Sequence, residues 1–234
     1  MRQVFLDTET TGLSAESGDR IIEIGCVELI NRRVTGNNRH YYLNPERDSH
    51  VEALKVHGIS NEFLRDKPLF AAVADDLLAY LQDCEIVIHN AAFDVGFLDH
   101  ELARLGRAPV AQWAFKVTDS LTLAKERFPG KRNSLDALCV RLQVDNSART
   151  QHGALLDAEL LAEVYLRMTR GQDALAIDAG ADAADAHASA ADDLRALDIP
   201  VLMADADELL AHEAVLQAID KESGGKTVWR RAMA

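Results

Sequence analysis

The chain is poor in cysteine. Its 234 residues hold three, Cys26, Cys84 and Cys139, each in an apolar neighbourhood and none in a C-x-x-C pair. Such usage argues against a disulfide scaffold or a cysteine-ligated metal site and leaves buried free thiols in a reducing compartment. No apolar run approaches the ~20 residues that span a bilayer, and the N-terminus opens on a strand-like segment without a leader, so a cytoplasmic protein is expected. Positive charge is scarce as well. Lys and Arg number 25 against 38 Asp and Glu, a net charge of −13, which argues against a generic nucleic-acid-binding surface. The acidity is uneven, for residues 171–234 carry 13 acidic and only 5 basic side chains. If the earlier part handles nucleic acid, it does so through metals and a local groove rather than by bulk attraction.

What is present is a globular pattern, 48% hydrophobic and 27% charged, enough for one sizeable core with length left over. Val4-Phe5-Leu6 begins a strand that carries Asp7 and Glu9 and stops at Thr10-Thr11-Gly12. Residues 21–30 read as a second strand, 32–38 as a polar turn and 40–43 as a third strand, an antiparallel meander. The period then changes. Residues 51–56 form a short helical turn, and 70–81 place Val73, Leu77, Leu78 and Leu81 on one face of an amphipathic helix. A buried strand over 85–90 leads into a helix from about 95 to 105. A strand near 115–117 precedes a further helix, Ser134 caps another, and His152-Gly153-Ala154 opens a long helix to about Met168. The sum is a mixed α/β sheet with helices on its faces. Beyond Gly171 the Ala/Asp-rich run over 178–193 reads as a flexible linker, followed by a helical pattern from Ala206 to Ile219.

Side chains at i and i+2 of a strand share a face roughly 6.5–7 Å apart, so Asp7 and Glu9 could hold cations between them. Asp94 lies just beyond a buried strand, where active residues of such sheets gather, and Asp157 follows His152 by five residues. Four carboxylates and one histidine from three elements read as a two-metal site. Their hard oxygens suit Mg²⁺ or Mn²⁺, ions that clamp the attacking and leaving oxygens of a phosphodiester displacement. His152, near neutral pKa, is the natural base for the attacking water. Asp99 and Asp119 read as solvated or capping and His89 as structural, while His40, His50 and His100 carry no partner pattern.

Asp7-x-Glu9-Thr10-Thr11-Gly12, His89-Asn90-Ala91-Ala92-Phe93-Asp94 and His152-Gly153-Ala154-Leu155-Leu156-Asp157 together resemble the three motifs of the DEDDh 3′–5′ exonuclease family. Residues 115–120 and 130–139 are similar to its proofreading branch in bacterial replicative polymerases. The likeness covers about residues 3–171 and resumes over 207–229. It implies an RNase H-like sheet and hydrolysis of unpaired or frayed 3′ DNA ends to nucleoside monophosphates. By the same likeness Asp7, Glu9, Asp94 and Asp157 would hold two metals and His152 would be general base. Thr10, Leu13, His57 and Phe93 fall where the family grips the terminal nucleotide, with Leu13 wedging against a base. Trimming of RNA ends, or a scaffold with a dormant nuclease fold, remain the alternatives.

The resemblance also organises the chain as an exonuclease domain over 1–171, a linker over 172–199 and a polymerase-binding tail over 200–234. Gln172-Asp173-Ala174-Leu175-Ala176-Ile177 is similar to the peptides that bind the bacterial sliding clamp, with Leu175 and Ile177 filling a pocket and Gln172 bonding at its edge. The sequence leaves open whether a small accessory subunit binds the nuclease domain.

Overall fold

A computed structural model describes residues 1–147, 149, 151–169 and 204–224. The first unit lies within Met1–Ile177 and the second within Asp178–Ala234.

The first unit is built on a six-stranded mixed sheet. Its central strand β1 (Arg2–Thr10) runs antiparallel to β2 (Ile21–Ile30), with Asp7 opposite Gly25 and Glu9 opposite Glu23. The expected third strand is present as β4 (Arg39–Tyr42), preceded by a two-residue strand β3 (Arg33–Val34), and both pair antiparallel with β2. The stretch read as a polar turn therefore contains a short strand, too brief for alternation to reveal. On the other side of β1, β5 (Glu85–Ile88) and β6 (Lys116–Asp119) add in parallel.

Alternation along β1 sorts its side chains between two cores. Val4 and Leu6 join one with Ile24, Ile86 and Ile88, covered by α3 (Phe70–Leu81) and α4 (Ala91–Arg104). Phe5 faces the other way, with Val27, Leu29 and Val87, beneath α6 (Leu135–Leu142) and α7 (Ala154–Met168). Because both faces are covered, β2 is buried at every position from Ile21 to Leu29 and reads as a near-continuous apolar run. Two short helices, α1 (Val51–His57) and α2 (Asn61–Arg65), connect β4 to α3, and α5 (Ser120–Arg127) follows β6, capped by Asp119. The helix α2 is absent from the sequence reading, since five residues hold little more than one turn. The three cysteines are buried free thiols.

In the second unit α8 (Ala206–Ser223) is closed by a capping box between Asp205 and Glu208. Among the described residues no helix is long and apolar enough to cross a membrane.

Candidate active site

The alternation that sends Phe5 toward α7 sends Asp7 and Glu9 the same way, at the end of β1. Their neighbour Thr8 faces α4 and holds Asp94, whose Oδ1 accepts from the Thr8 amide at 3.0 Å and the Thr8 hydroxyl at 2.7 Å. Asp94 was expected in the loop after β5. It sits instead in the first turn of α4, because Asn90 adopts a left-handed backbone (φ 68°) and the helix starts at once, four residues earlier than its apolar period suggests. Asp157 occupies the first turn of α7, and His152 stands just ahead of that helix. One ligand atom each from Glu9, His152 and Asp157 lie within 4.8 Å of one another. Asp7 lies within electrostatic reach of Asp94, Asp157 and Glu9. The structure thus brings all five predicted residues to one end of the sheet.

Their electrostatics are those of anions crowded together. Burial, then Asp94, Asp157 and Glu9, push Asp7 well above the usual carboxylate range. Burial and Asp157 raise Glu9 to about 8. Burial raises Asp94 to about 6, against the Thr8 bonds that favour its ionised form. Asp157 alone is held low, since the facing His152 ring and the hydrogen bonds from Arg149 outweigh its burial. His152 is raised by Asp157, whose Oδ2 lies 3.3 Å from its Nδ1; the near-neutral imidazole of the sequence reading is displaced upward. A divalent cation would relieve the repulsion among these carboxylates, and the hard-oxygen donor set fits Mg²⁺ or Mn²⁺.

The predicted nucleotide pocket divides into parts. Leu13 is 87% exposed and forms a ridge between two cavities. One of about 590 Å³ is lined by Gly12, His50, Ala53 and Val56; the other, about 480 Å³, by Phe93, Phe97 and His100. The carboxylates line neither. Thr10 is buried, its hydroxyl donating to the Gly12 carbonyl at 2.6 Å and so shaping the loop that presents Leu13. His57 is buried; its Nδ1 accepts from the Ile59 amide at 3.0 Å, while Nε2 finds no hydrogen-bond partner among the described residues. Gln172, Leu175 and Ile177 lie outside the described residues.

Sequence reasoning passed over two residues here. Glu23, opposite Glu9, accepts from the Ala154 amide at 3.1 Å and so caps α7, while its other oxygen meets His40 Nε2 at 2.6 Å. Hairpin register could have found it. Arg149 grips Asp157 through Nε at 2.6 Å and through Nη2, which also approaches His152 Nδ1 at 2.7 Å, while Nη1 pairs with Asp136. Nothing in the local sequence distinguishes it from a surface arginine. Of the residues read as structural, Asp99 accepts from the Val110 amide, and His89 meets the Ser120 hydroxyl.

Comparison with known proteins adds independent findings. The family described as Exonuclease (RNase_T) matches residues 4–165. The DNA polymerase III subunit epsilon of Escherichia coli K12 is 51% identical over 98% of this chain and 97% of its own length. That of Salmonella typhimurium is 52% identical over the same shares. Among solved structures, E. coli Exonuclease I in complex with a dT13 oligonucleotide superposes with a TM-score of 0.64 at 19% identity, over 74% of this chain and 42% of that one; at such identity the likeness bears on fold alone.

Proposed function

The chain belongs to the exonuclease family, among the DNA polymerase III epsilon subunits, and from that premise we propose that it removes mispaired 3′-terminal nucleotides by two-metal hydrolysis with a histidine base. The observation that carries this reading is the convergence of Glu9, His152 and Asp157 within 4.8 Å at the sheet end that also holds Asp7 and Asp94. Asp7, Glu9, Asp94 and Asp157 would hold two divalent cations, Mg²⁺ or Mn²⁺. Such ions, when bound, supply positive charge at both the attacking and the leaving oxygen of the phosphodiester.

The chain's own residues do the rest. His152, its side chain 45% exposed just outside α7, accepts the proton of the attacking water. Thr8 fixes Asp94 and Glu23 fixes the first turn of α7, so the ligands arrive from three rigid elements already aimed. Leu13 wedges against the terminal base, and Thr10, Phe93 and His57 complete the grip. Selectivity needs no reading of sequence, because a mispaired end unstacks at lower cost than a paired one.

On the same reading residues 1–171 are the nuclease domain and 172–199 a linker in which Gln172, Leu175 and Ile177 engage the sliding clamp. Residues 200–234 bind the DNA polymerase III alpha subunit, which places the protein in the cytoplasmic replisome. Weak intrinsic DNA affinity, expected of an acidic chain, suits delivery by tethering.

The test uses a 5′-labelled single-stranded DNA oligonucleotide with Mg²⁺, an RNA oligonucleotide alongside, and His152→Ala. Expected are stepwise shortening of DNA from its 3′ end, release of monophosphates, and at least a hundredfold loss in the folded variant, the order of a missing general base (roughly 10²–10⁴-fold). Cleavage of RNA alone, or undiminished activity of the variant, would overturn the reading.

A further inference from the structure

Arg149 is no peripheral salt bridge. Its side chain is 7% exposed and sits in the connection between α6 and α7. The guanidinium takes both oxygens of Asp157 in a fork, Nε to Oδ1 at 2.6 Å and Nη2 to Oδ2. The same Nη2 lies 2.7 Å from His152 Nδ1. An arginine nitrogen can only donate, so in this contact the ring nitrogen is the acceptor. One cation therefore holds a predicted metal ligand and a lone pair of the predicted base together. Its third arm, Nη1, reaches outward to Asp136, whose side chain is 58% exposed.

We propose that Arg149 is a latch on the metal centre: it holds Asp157 and His152 through its fork, and a divalent cation entering the site displaces it toward Asp136. This rests on the two-metal reading above. Displacement is expected because a guanidinium and a divalent ion directed at the same two oxygens would stand within a few ångströms of each other, in a partly buried site where like charges are poorly screened. Letting go frees the metal ligand and the base in one movement, so metal loading and readiness for catalysis become a single event. The exposed carboxylate of Asp136 gives the displaced guanidinium a counter-charge in water, so release does not leave a buried cation unpaired. The fork matters as much as the charge. A lysine keeps the charge but presents a compact ammonium that cannot span both Asp157 oxygens and the ring nitrogen.

The experiment measures Mn²⁺ binding by electron paramagnetic resonance on the EDTA-stripped full chain, comparing wild type, Arg149→Lys and Arg149→Ala. The latch predicts tighter Mn²⁺ binding in both variants, by roughly fivefold to a hundredfold in Arg149→Ala, the ordinary span of coupling between two sites, and by a smaller factor in Arg149→Lys. Tightening in the alanine variant alone would reduce Arg149 to a repelling charge and overturn the latch. Unchanged or weaker binding in Arg149→Ala would overturn it too, in favour of a residue that positions Asp157 for the metal. A second readout follows the wild type itself and needs a variant only for assignment. The Nε–H resonance of Arg149 in wild type, assigned by its loss in Arg149→Lys, should move in step with Mg²⁺ saturation; a resonance unmoved at saturation would also overturn the proposal. Failure of the metal reading looks different: no Mn²⁺ bound by the folded wild type or by either variant, which would remove the latch along with it.

Discussion

Glu9 holds its proton to about pH 8, and that has a consequence for stability. An acid whose folded pKa lies above its unfolded value is more protonated in the native chain, so stability is greatest below the unfolded pKa and is lost as pH rises toward the folded one. For Glu9 the window runs from its ordinary 4.5 to about 8. His152, raised by Asp157, adds in the same sense, since its contribution is also lost as pH rises. In EDTA, melting temperature should therefore fall between pH 5 and pH 8.5, and saturating Mn²⁺ should cancel most of the fall by taking the place of the protons. Glu9→Gln should melt several degrees above wild type at pH 8 in EDTA, at roughly 2–4 °C for each kcal/mol of repulsion relieved, while losing nuclease activity. Scanning calorimetry across pH checks all three; a flat profile in EDTA would mean that the carboxylates do not strain one another. The site is thus a place where function is held against stability.

Between elements, the closest constraint is the seat of α7 on the sheet. A Cβ built on Gly25 would lie 2.2 Å from the Ala154 carbonyl carbon and the Leu155 amide nitrogen, backbone atoms that cannot swing aside. Gly25→Ala should force α7 away from β2, cost about 1–3 kcal/mol as overpacking does, and lower activity by moving His152 and Asp157 away from Glu9. Gly96→Ala is the contrast: it lies within α4 with nothing within 4 Å of the added methyl, and should gain about 0.5–1 kcal/mol from helix propensity. Urea unfolding of both variants tests the pair, and equal effects would show the Gly25 approach to be slack. These contacts mark where the sequence stops being legible. The helix over 70–81 could be read to the residue because its period is clean, and Ser134 could be read as a cap because its hydroxyl has one local use, on the Ala137 amide. Asp7, Glu9 and Asp157 could be placed on their elements for the same local reasons. The start of α4 could not, because it depends on a left-handed Asn90; nor could the roles of Glu23 and Arg149, which exist only across strands and loops. Local periodicity writes elements, while partners distant in sequence write the second layer of the site.

Across the whole chain, charge and apolar surface are apportioned differently. Of the net −13, residues 171–234 contribute 13 acids against 5 bases, so the C-terminal part is poorly suited to hold DNA. Its described helix α8 nonetheless exposes Leu209, Leu210, Val215 and Ile219 between 43% and 70%. The capping box at Asp205 and Glu208 and the left-handed Gly224 at its end fix both termini of that helix, so an ordered apolar surface is presented rather than a frayed one. Burying four such side chains is worth roughly 1.5–3 kcal/mol each before the costs of association, sufficient for a stable docking contact with a protein partner. Two variants follow from this. Deleting residues 200–234 should leave Mg²⁺-dependent DNA shortening unchanged, since all five site residues lie before Met168, and should abolish co-purification with the polymerase alpha subunit. Leu209→Glu combined with Leu210→Glu should weaken that association while keeping the helix, as judged by circular dichroism. Association that survives both changes would move the docking surface elsewhere, and nuclease activity that falls with the deletion would place the tail within the enzyme itself.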